Sequence, residues 1–205
     1  MIRPDLTVVA DDESRGEMTS NGIVVLSGPP CSGKTTAVKA MADGLSSRRR
    51  RRHLEVDTLF DLLFPASDRN RDDRMRAYDG AHLLARLFVD RGETVFLECT
   101  YARRDQRASL LEALADSSAS LWIVEFFVTP DEAVTRFRER CQATDLDEEI
   151  VRERADAFPY SDQALRVESS FGTPEEHARR IITWLQQGPR PVDQDVWAQA
   201  GRDWS

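Results

Sequence analysis

Polar and apolar positions along this chain follow two rhythms. Short apolar runs stand at Ile23-Val24-Val25-Leu26, at Thr94-Val95-Phe96-Leu97-Glu98 and at Leu121-Trp122-Ile123-Val124-Glu125-Phe126-Phe127. Their length and β-branched or aromatic content suit buried parallel strands. Between them apolar residues return every three or four positions. Val38, Met41, Ala42 and Leu45 mark one helix face, and Ala77, Tyr78, Ala81, Leu84, Ala85 and Phe88 mark another over 74–90, stopped by Arg91-Gly92. Two weaker strands fit His53-Leu54-Glu55-Val56 and Leu165-Arg166-Val167-Glu168. Leu59, Phe60, Leu62, Leu63 and Phe64 make a short helix ended by Pro65, and 105–115 reads as a further helix. Thr129-Pro130-Asp131-Glu132 and Thr173-Pro174-Glu175-Glu176 are capping boxes with proline in the first helical turn. The second opens a helix to about Gln187, ended by Gly188-Pro189.

Strands alternating with helices predict an α/β fold: a five-stranded parallel sheet with helices on both faces. The pattern places one domain over 22–188. Residues 1–21 read as a mobile leader, whose Leu6-Thr7-Val8-Val9 is the one stretch that could pair as an edge strand. Met18 offers a second start. Residues 189–205 read as a tail, with Trp197 and Trp204 expected to dock on the body.

Composition narrows the classes. The 205 residues suit one domain with a full core, and 40% hydrophobic with 31% charged residues is globular. With 28 basic against 36 acidic residues the net charge is −8, which argues against nonspecific duplex binding. No apolar run has the length of a membrane span and no signal-peptide core opens the chain. Cys31, Cys99 and Cys141, odd in number and far apart, point to a reducing cytoplasm. His53, His82 and His177 make no zinc pattern. Five arginines at 48–52 read as a solvated loop, the alternative being a patch for nucleic acid or an acidic substrate.

The chemistry concentrates after the first strand. Gly28-Pro29-Pro30-Cys31-Ser32-Gly33-Lys34-Thr35 fits the phosphate-binding pattern GxxxxGK[ST] at every fixed position, between a strand and a helix. A chance match in a chain of this size is on the order of one in a hundred. Gly28 and Gly33 let backbone N–H groups turn inward as a nest for phosphate oxygens, and the following helix adds its positive end. Lys34 reaches the β/γ-phosphates, the Thr35 hydroxyl is placed for Mg²⁺, and Thr36 falls nearer the α-phosphate. The expected ligand is a nucleoside triphosphate, ATP with Mg²⁺. Glu98, at the end of the third strand, holds a Walker B-like position that steadies the metal; an ordinary strand-end carboxylate is the other reading. Loop, Asp57 and Glu98 all fall at carboxyl ends of strands, where such sheets bind ligands.

On these residues the layout resembles the small phosphate-loop kinases that include gluconate kinase, chloramphenicol phosphotransferase and polynucleotide 5′-kinase domains. The resemblance runs from about Ile23 to Leu185 and implies a P-loop NTPase fold with a small helical lid, about 142–158. It implies that Asp57 takes the proton of an attacking hydroxyl; capping the next helix is the alternative. Phe60 stands where polynucleotide kinases tend to carry Arg, which favours an apolar wall for a small acceptor. Asp72-Asp73-Arg74 resembles an acidic-Arg segment of gluconate kinases, so Arg74 either grips an acceptor anion or starts a solvated helix. The stretch Cys99 to Arg107 resembles another, which implies that Arg103, Arg104 and Arg107 line the acceptor side. Arg136 and Arg140, four apart on one helix face, imply the arginine pair at a lid base that neutralises the moving phosphoryl group. A salt-bridged surface helix is the alternative there.

The expectation is therefore an ATP·Mg²⁺-dependent phosphotransferase acting on the hydroxyl of a small molecule such as an antibiotic, sugar or nucleoside. A polynucleotide 5′-hydroxyl kinase, a sugar-nucleotide kinase and a non-enzymatic nucleotide-dependent binding module are its rivals. Acceptor identity, ATP against GTP and oligomeric state stay open.

Overall fold

The computed structural model describes residues 22–44, 51–140 and 146–203. The leader with its apolar patch, Leu45, the arginines at 48–50, Cys141 and Trp204 lie outside the described residues.

Strand β1 (Gly22–Ser27) is central and buried throughout. It pairs in parallel with β3 (Thr94–Glu98), Ile23 opposite Val95, and with β4 (Ser120–Phe127), Ile23 opposite Leu121. The outer strands are β2 (Arg51–Glu55) beside β3 and β5 (Leu165–Glu168) beside β4, giving the order β2-β3-β1-β4-β5. The sheet is wholly parallel, as the strand–helix alternation predicts.

Because strand side chains alternate faces, each central strand feeds two cores. Ile23, Val25, Leu97, Leu121 and Ile123 face α3 (Arg71–Val89) and α4 (Arg104–Leu114), whose Ala77, Tyr78, Ala81, Ala85 and Leu110 are buried there. Val24, Leu26, Phe96, Val124 and Phe126 face α1 (Lys34–Gly44) and α7 (Pro174–Gln186) through Val38, Met41, Ala178, Ile181 and Leu185. Each fully buried Val, Leu or Ile stabilises the fold by roughly 1.5–3 kcal/mol. A third, small core joins α5 (Pro130–Glu139) to α6 (Glu148–Asp156) through Val134, Val151 and Ala155.

Several local expectations change. The second strand starts at Arg51 and gives way directly to α2 (Val56–Leu63), so Asp57 sits in a helical first turn rather than on the strand. Arg51 and Arg52 are therefore edge-strand residues, not loop. Arg52 donates to Glu93 at 2.5 Å and lies over the Phe88 ring. Phe60 is 3% exposed and packs in the core beneath Arg69 and Arg74, so it makes no wall for an acceptor. At α5, Thr129 accepts from the Glu132 amide, but the Glu132 carboxylate turns to Arg136 and Ser170, leaving half a capping box. The box at Thr173 is complete. The last helix, α8 (Gln194–Gln199), buries Trp197 completely in the first core.

Candidate functional site

Leu26 of β1 lies opposite Glu98 of β3, so the loop after the first strand and the carboxylate ending the third leave the sheet side by side. This is the carboxyl edge where open parallel sheets bind ligands. The loop needs its glycines. Gly28 has φ +150° and a Cβ there would sit 2.7 Å from Phe126 O, while Gly33 has φ +83°. Cys31 between them is also left-handed, at φ +60°.

Lys34 Nζ donates to Gly28 O (2.8 Å), Pro29 O (2.9 Å) and Ser32 Oγ (3.3 Å), folded back over its own loop. Burial lowers its pKa below the ordinary lysine value, against the pull of Glu98 and weaker pulls from Cys99, Asp57 and Cys31. Thr35 Oγ1 donates to Glu98 Oε1 at 2.5 Å, and His53 Nε2 meets Glu98 Oε2 at 2.9 Å. Burial by itself would raise the Glu98 pKa. The hydrogen bonds from His53 and Thr35 and the charge of Lys34 outweigh it and hold the carboxylate below its usual range. A hydroxyl and an ionised carboxylate are hard oxygen donors of the kind that suit Mg²⁺, so the residues fit that ion.

These groups line a cleft of about 650 Å³. One side is the loop from Pro30 to Thr36 with Lys39 and Glu98. The facing wall carries Glu55, Asp57, Thr58 and Asp61 from β2 and α2, with Arg69, Arg74, Cys99 and Thr100. Phe137, Arg140, Leu146 and Arg154 bound the third side. Thr58 donates to Glu55 at 2.6 Å, and Arg69 is paired with Asp61. Asp57 is exposed in the cleft, and Glu55 rather than Asp57 holds the N-cap position of α2. A second hollow of about 400 Å³ adjoins the other side of the loop, between Arg136, Arg140, Ser169, Gly172 and His177.

The structure thus gathers Lys34, Thr35, Thr36, Asp57, Arg74, Glu98 and Arg140 in one cleft. Arg136 stands beside it, donating to Cys31 O (3.2 Å), Ser169 Oγ (2.9 Å) and Ser169 O (2.7 Å). Arg103 and Arg107 do not join. Arg103 pairs with Asp105 at 3.2 Å and bridges to Arg202. Arg107 is 0% exposed and donates to Tyr101 O (2.7 Å), Trp197 O (2.8 Å) and Pro159 O (2.9 Å), with Glu125 at 3.9 Å. An arginine used up on three internal carbonyls ties segments together and offers nothing to an acceptor.

Unforeseen residues also contribute. His53 orients Glu98; its place two residues before the end of an edge strand is the only signal for it. Beneath the facing wall, the Ser109 hydroxyl donates to Asp79 (2.6 Å), so it accepts from His82 Nδ1–H (2.8 Å). His82 Nε2 then accepts from the Tyr101 hydroxyl (2.9 Å). Burial drives His82 down to about 3, consistent with this neutral tautomer, and pushes Cys99 up to about 12, so Cys99 is a thiol and not a nucleophile.

The family model AAA_33, described as an AAA domain, matches residues 23–161. The chain belongs to that family. Solved structures share its fold. A gluconokinase from Sinorhizobium meliloti 1021 matches at TM-score 0.60 and 17% identity over 87% of this chain and 97% of that one. The Mycobacterium tuberculosis APS kinase CysC, in complex with AMPPNP and APS, matches at 0.62 and 18% over 81% and 98%. The Deinococcus radiodurans tunicamycin resistance protein matches at 0.61 and 12% over 84% and 99%. No curated protein matches by sequence. At these identities the likeness establishes the fold alone, the P-loop NTPase sheet with its flanking helices. Among the described residues no helix is long and apolar enough to cross a membrane.

Proposed function

We propose that this protein is an ATP-dependent phosphotransferase that moves the γ-phosphoryl group to a hydroxyl of a small molecule. The observation that carries the reading is one cleft with Lys34 and the Thr35–Glu98 hydrogen bond on one side and exposed Asp57 on the other. The similar structures of a gluconokinase and an APS kinase agree with it.

In this reading the backbone amides of Cys31, Gly33, Lys34, Thr35 and Thr36 cradle the phosphates, and Lys34 swings from its loop carbonyls to phosphate oxygens. Thr35 and Glu98 would hold Mg²⁺, which when bound neutralises charge between the β- and γ-phosphates. Asp57 accepts the proton of the attacking hydroxyl. Arg140, and Arg136 through its hold on the Cys31 carbonyl, steady the loop and the charge that develops during transfer, at the base of a lid over about 142–158 that holds α6 and excludes water. Arg74 orients the acceptor. The hollow between Arg136, Ser169 and His177 has room for the nucleoside.

Arg52 is engaged with Glu93 in the sheet edge, which takes that arginine away from a nucleic-acid track. Trp197 is buried, so that residue is not available as the partner contact of the non-enzymatic reading. The test is ATP consumption by the purified protein across sugars, sugar acids, nucleosides, hydroxylated antibiotics and 5′-hydroxyl oligonucleotides. Transfer to a small-molecule class supports the reading. Transfer to the oligonucleotide alone replaces the acceptor, and tight ATP binding without any transfer replaces the enzyme with a binding module.

A further inference from the structure

We propose that the C-terminal segment, residues 189–203, is a brace that holds the turn at 99–102 and so sets the cleft residues Cys99 and Thr100, with Trp197 and Gly201 as positioning residues. The inference rests on the nucleotide-binding reading of the cleft. The segment lies beyond the stretch matched by the family model, which ends at residue 161.

The brace is bonded along its length. Trp122 Nε1 donates to Pro189 O (2.9 Å), and the Val192 amide donates to Leu121 O (2.9 Å). Trp197 is fully buried against the Tyr101 ring, and its carbonyl accepts from Arg107. The Arg202 amide then donates to Ala102 O (2.9 Å), and the Arg104 amide to Arg202 O (3.0 Å), like one more parallel bridge. Between these holds sits Tyr101, 0% exposed and at φ +50°, a backbone state that a bulky residue keeps only where its surroundings over-determine it. Its carbonyl takes Arg107 and its hydroxyl His82.

One residue earlier the wall meets the phosphate loop. Thr100 O accepts both the Gly28 amide (3.4 Å) and the Ser27 hydroxyl (3.0 Å). Cys99 and Thr100 line the cleft. The chain of contacts Trp197–Tyr101–Thr100–Gly28 therefore joins residues 189–203 to the first residue of the phosphate loop. Coupling through such a chain is reciprocal: whatever orders the loop tightens the segment, and loosening the segment weakens what the loop binds.

Gly201 gives a probe outside the core. A Cβ there would lie 2.8 Å from Arg104 Cα and N, backbone atoms that cannot swing aside, so Gly201→Ala lifts the segment off the wall. Amide hydrogen exchange and Mg²⁺·AMPPNP affinity are measured on the full chain, as wild type and as Gly201→Ala, Trp197→Ala and Trp197→Phe. Saturating AMPPNP should slow exchange in residues 189–203 of the wild type, and Gly201→Ala should abolish that slowing and weaken AMPPNP about fivefold. Trp197→Phe should restore most of what Trp197→Ala loses. The brace is overturned if exchange in 189–203 ignores the nucleotide and Gly201→Ala binds it within twofold of wild type. If Trp197→Ala fails to fold, the Gly201→Ala result decides alone. Should wild type and Lys34→Ala bind AMPPNP equally, the nucleotide reading itself falls and takes the brace with it.

Discussion

Consecutive residues, Pro30 to Thr36, line one side of the cleft, whereas the facing wall is gathered from β2, α2 and the turn at 99–100, with the segment around Trp197 packed behind that turn and meeting Arg107 across 90 positions of chain. The first side works through backbone amides whose directions follow from two glycines and a helix start. The second works through side chains whose directions depend on what packs behind them. Lys34 and Arg107 show the difference. Both are cations spent on carbonyl oxygens, but Lys34 borders the cleft and needs only to turn, while Arg107 is fixed in the interior. A local site can be exchanged for its ligand; a keystone cannot.

The largest expected effect strikes the local side. Lys34→Ala should bring ATP turnover to background, because on the proposed reading it removes the ammonium that turns from the loop carbonyls to the phosphates. Residual turnover above a tenth of wild type would mean that the loop amides suffice. Next, Asp57→Asn should cut turnover about 10²–10⁴-fold while ATP affinity stays within about twofold, measured by single turnover with an accepted substrate. If turnover persists, the facing wall supplies no base and the contrast between the two sides weakens.

Arg107→Met tests the keystone. Removing one partner of a buried charge pair costs about 3–5 kcal/mol, whereas Arg103→Ala, at a partly exposed side chain paired with Asp105, should cost about 1 kcal/mol or less, both read by urea denaturation. A stable Arg107→Met protein that had lost only acceptor affinity would return Arg107 to the cleft.

The smallest effect is a pH dependence. Burial raises Glu125 to about 7 from 4.5, although the Ser161 amide, Arg107 and Arg166 pull it down. The native state therefore holds this proton more tightly than the unfolded chain. Its contribution to stability falls as pH rises from about 4.5 to about 7. Glu125→Gln should remove that slope, so the stability of the variant relative to wild type should grow across this window. A constant difference would place the carboxylate in a more polar setting than its burial indicates.

Much of the fold was readable from the residues themselves. β1 and β3 have unbroken apolar runs because both faces are covered, and the Thr173 box starts α7 through short-range bonds. The phosphate loop was readable for the same reason: its chemistry lies in backbone geometry fixed by neighbours in sequence. Arg107 was misread because spacing says where a residue stands on a helix and not what arrives over it. The covering residues, Pro159 and Trp197, come from far along the chain. Phe60 failed alike, since α2 begins at Val56 and turns that ring inward. His53 carries no motif, and its role appears only when the parallel register of β2 and β3 puts its strand beside that of Glu98.

The most direct measurement is equilibrium binding of ATP to the purified full chain with and without Mg²⁺. Grip by Lys34, Thr35 and Glu98 predicts micromolar affinity that weakens at least tenfold on chelation and disappears in Lys34→Ala. Affinity indifferent to both the metal and the lysine would contradict a phosphate site at this loop.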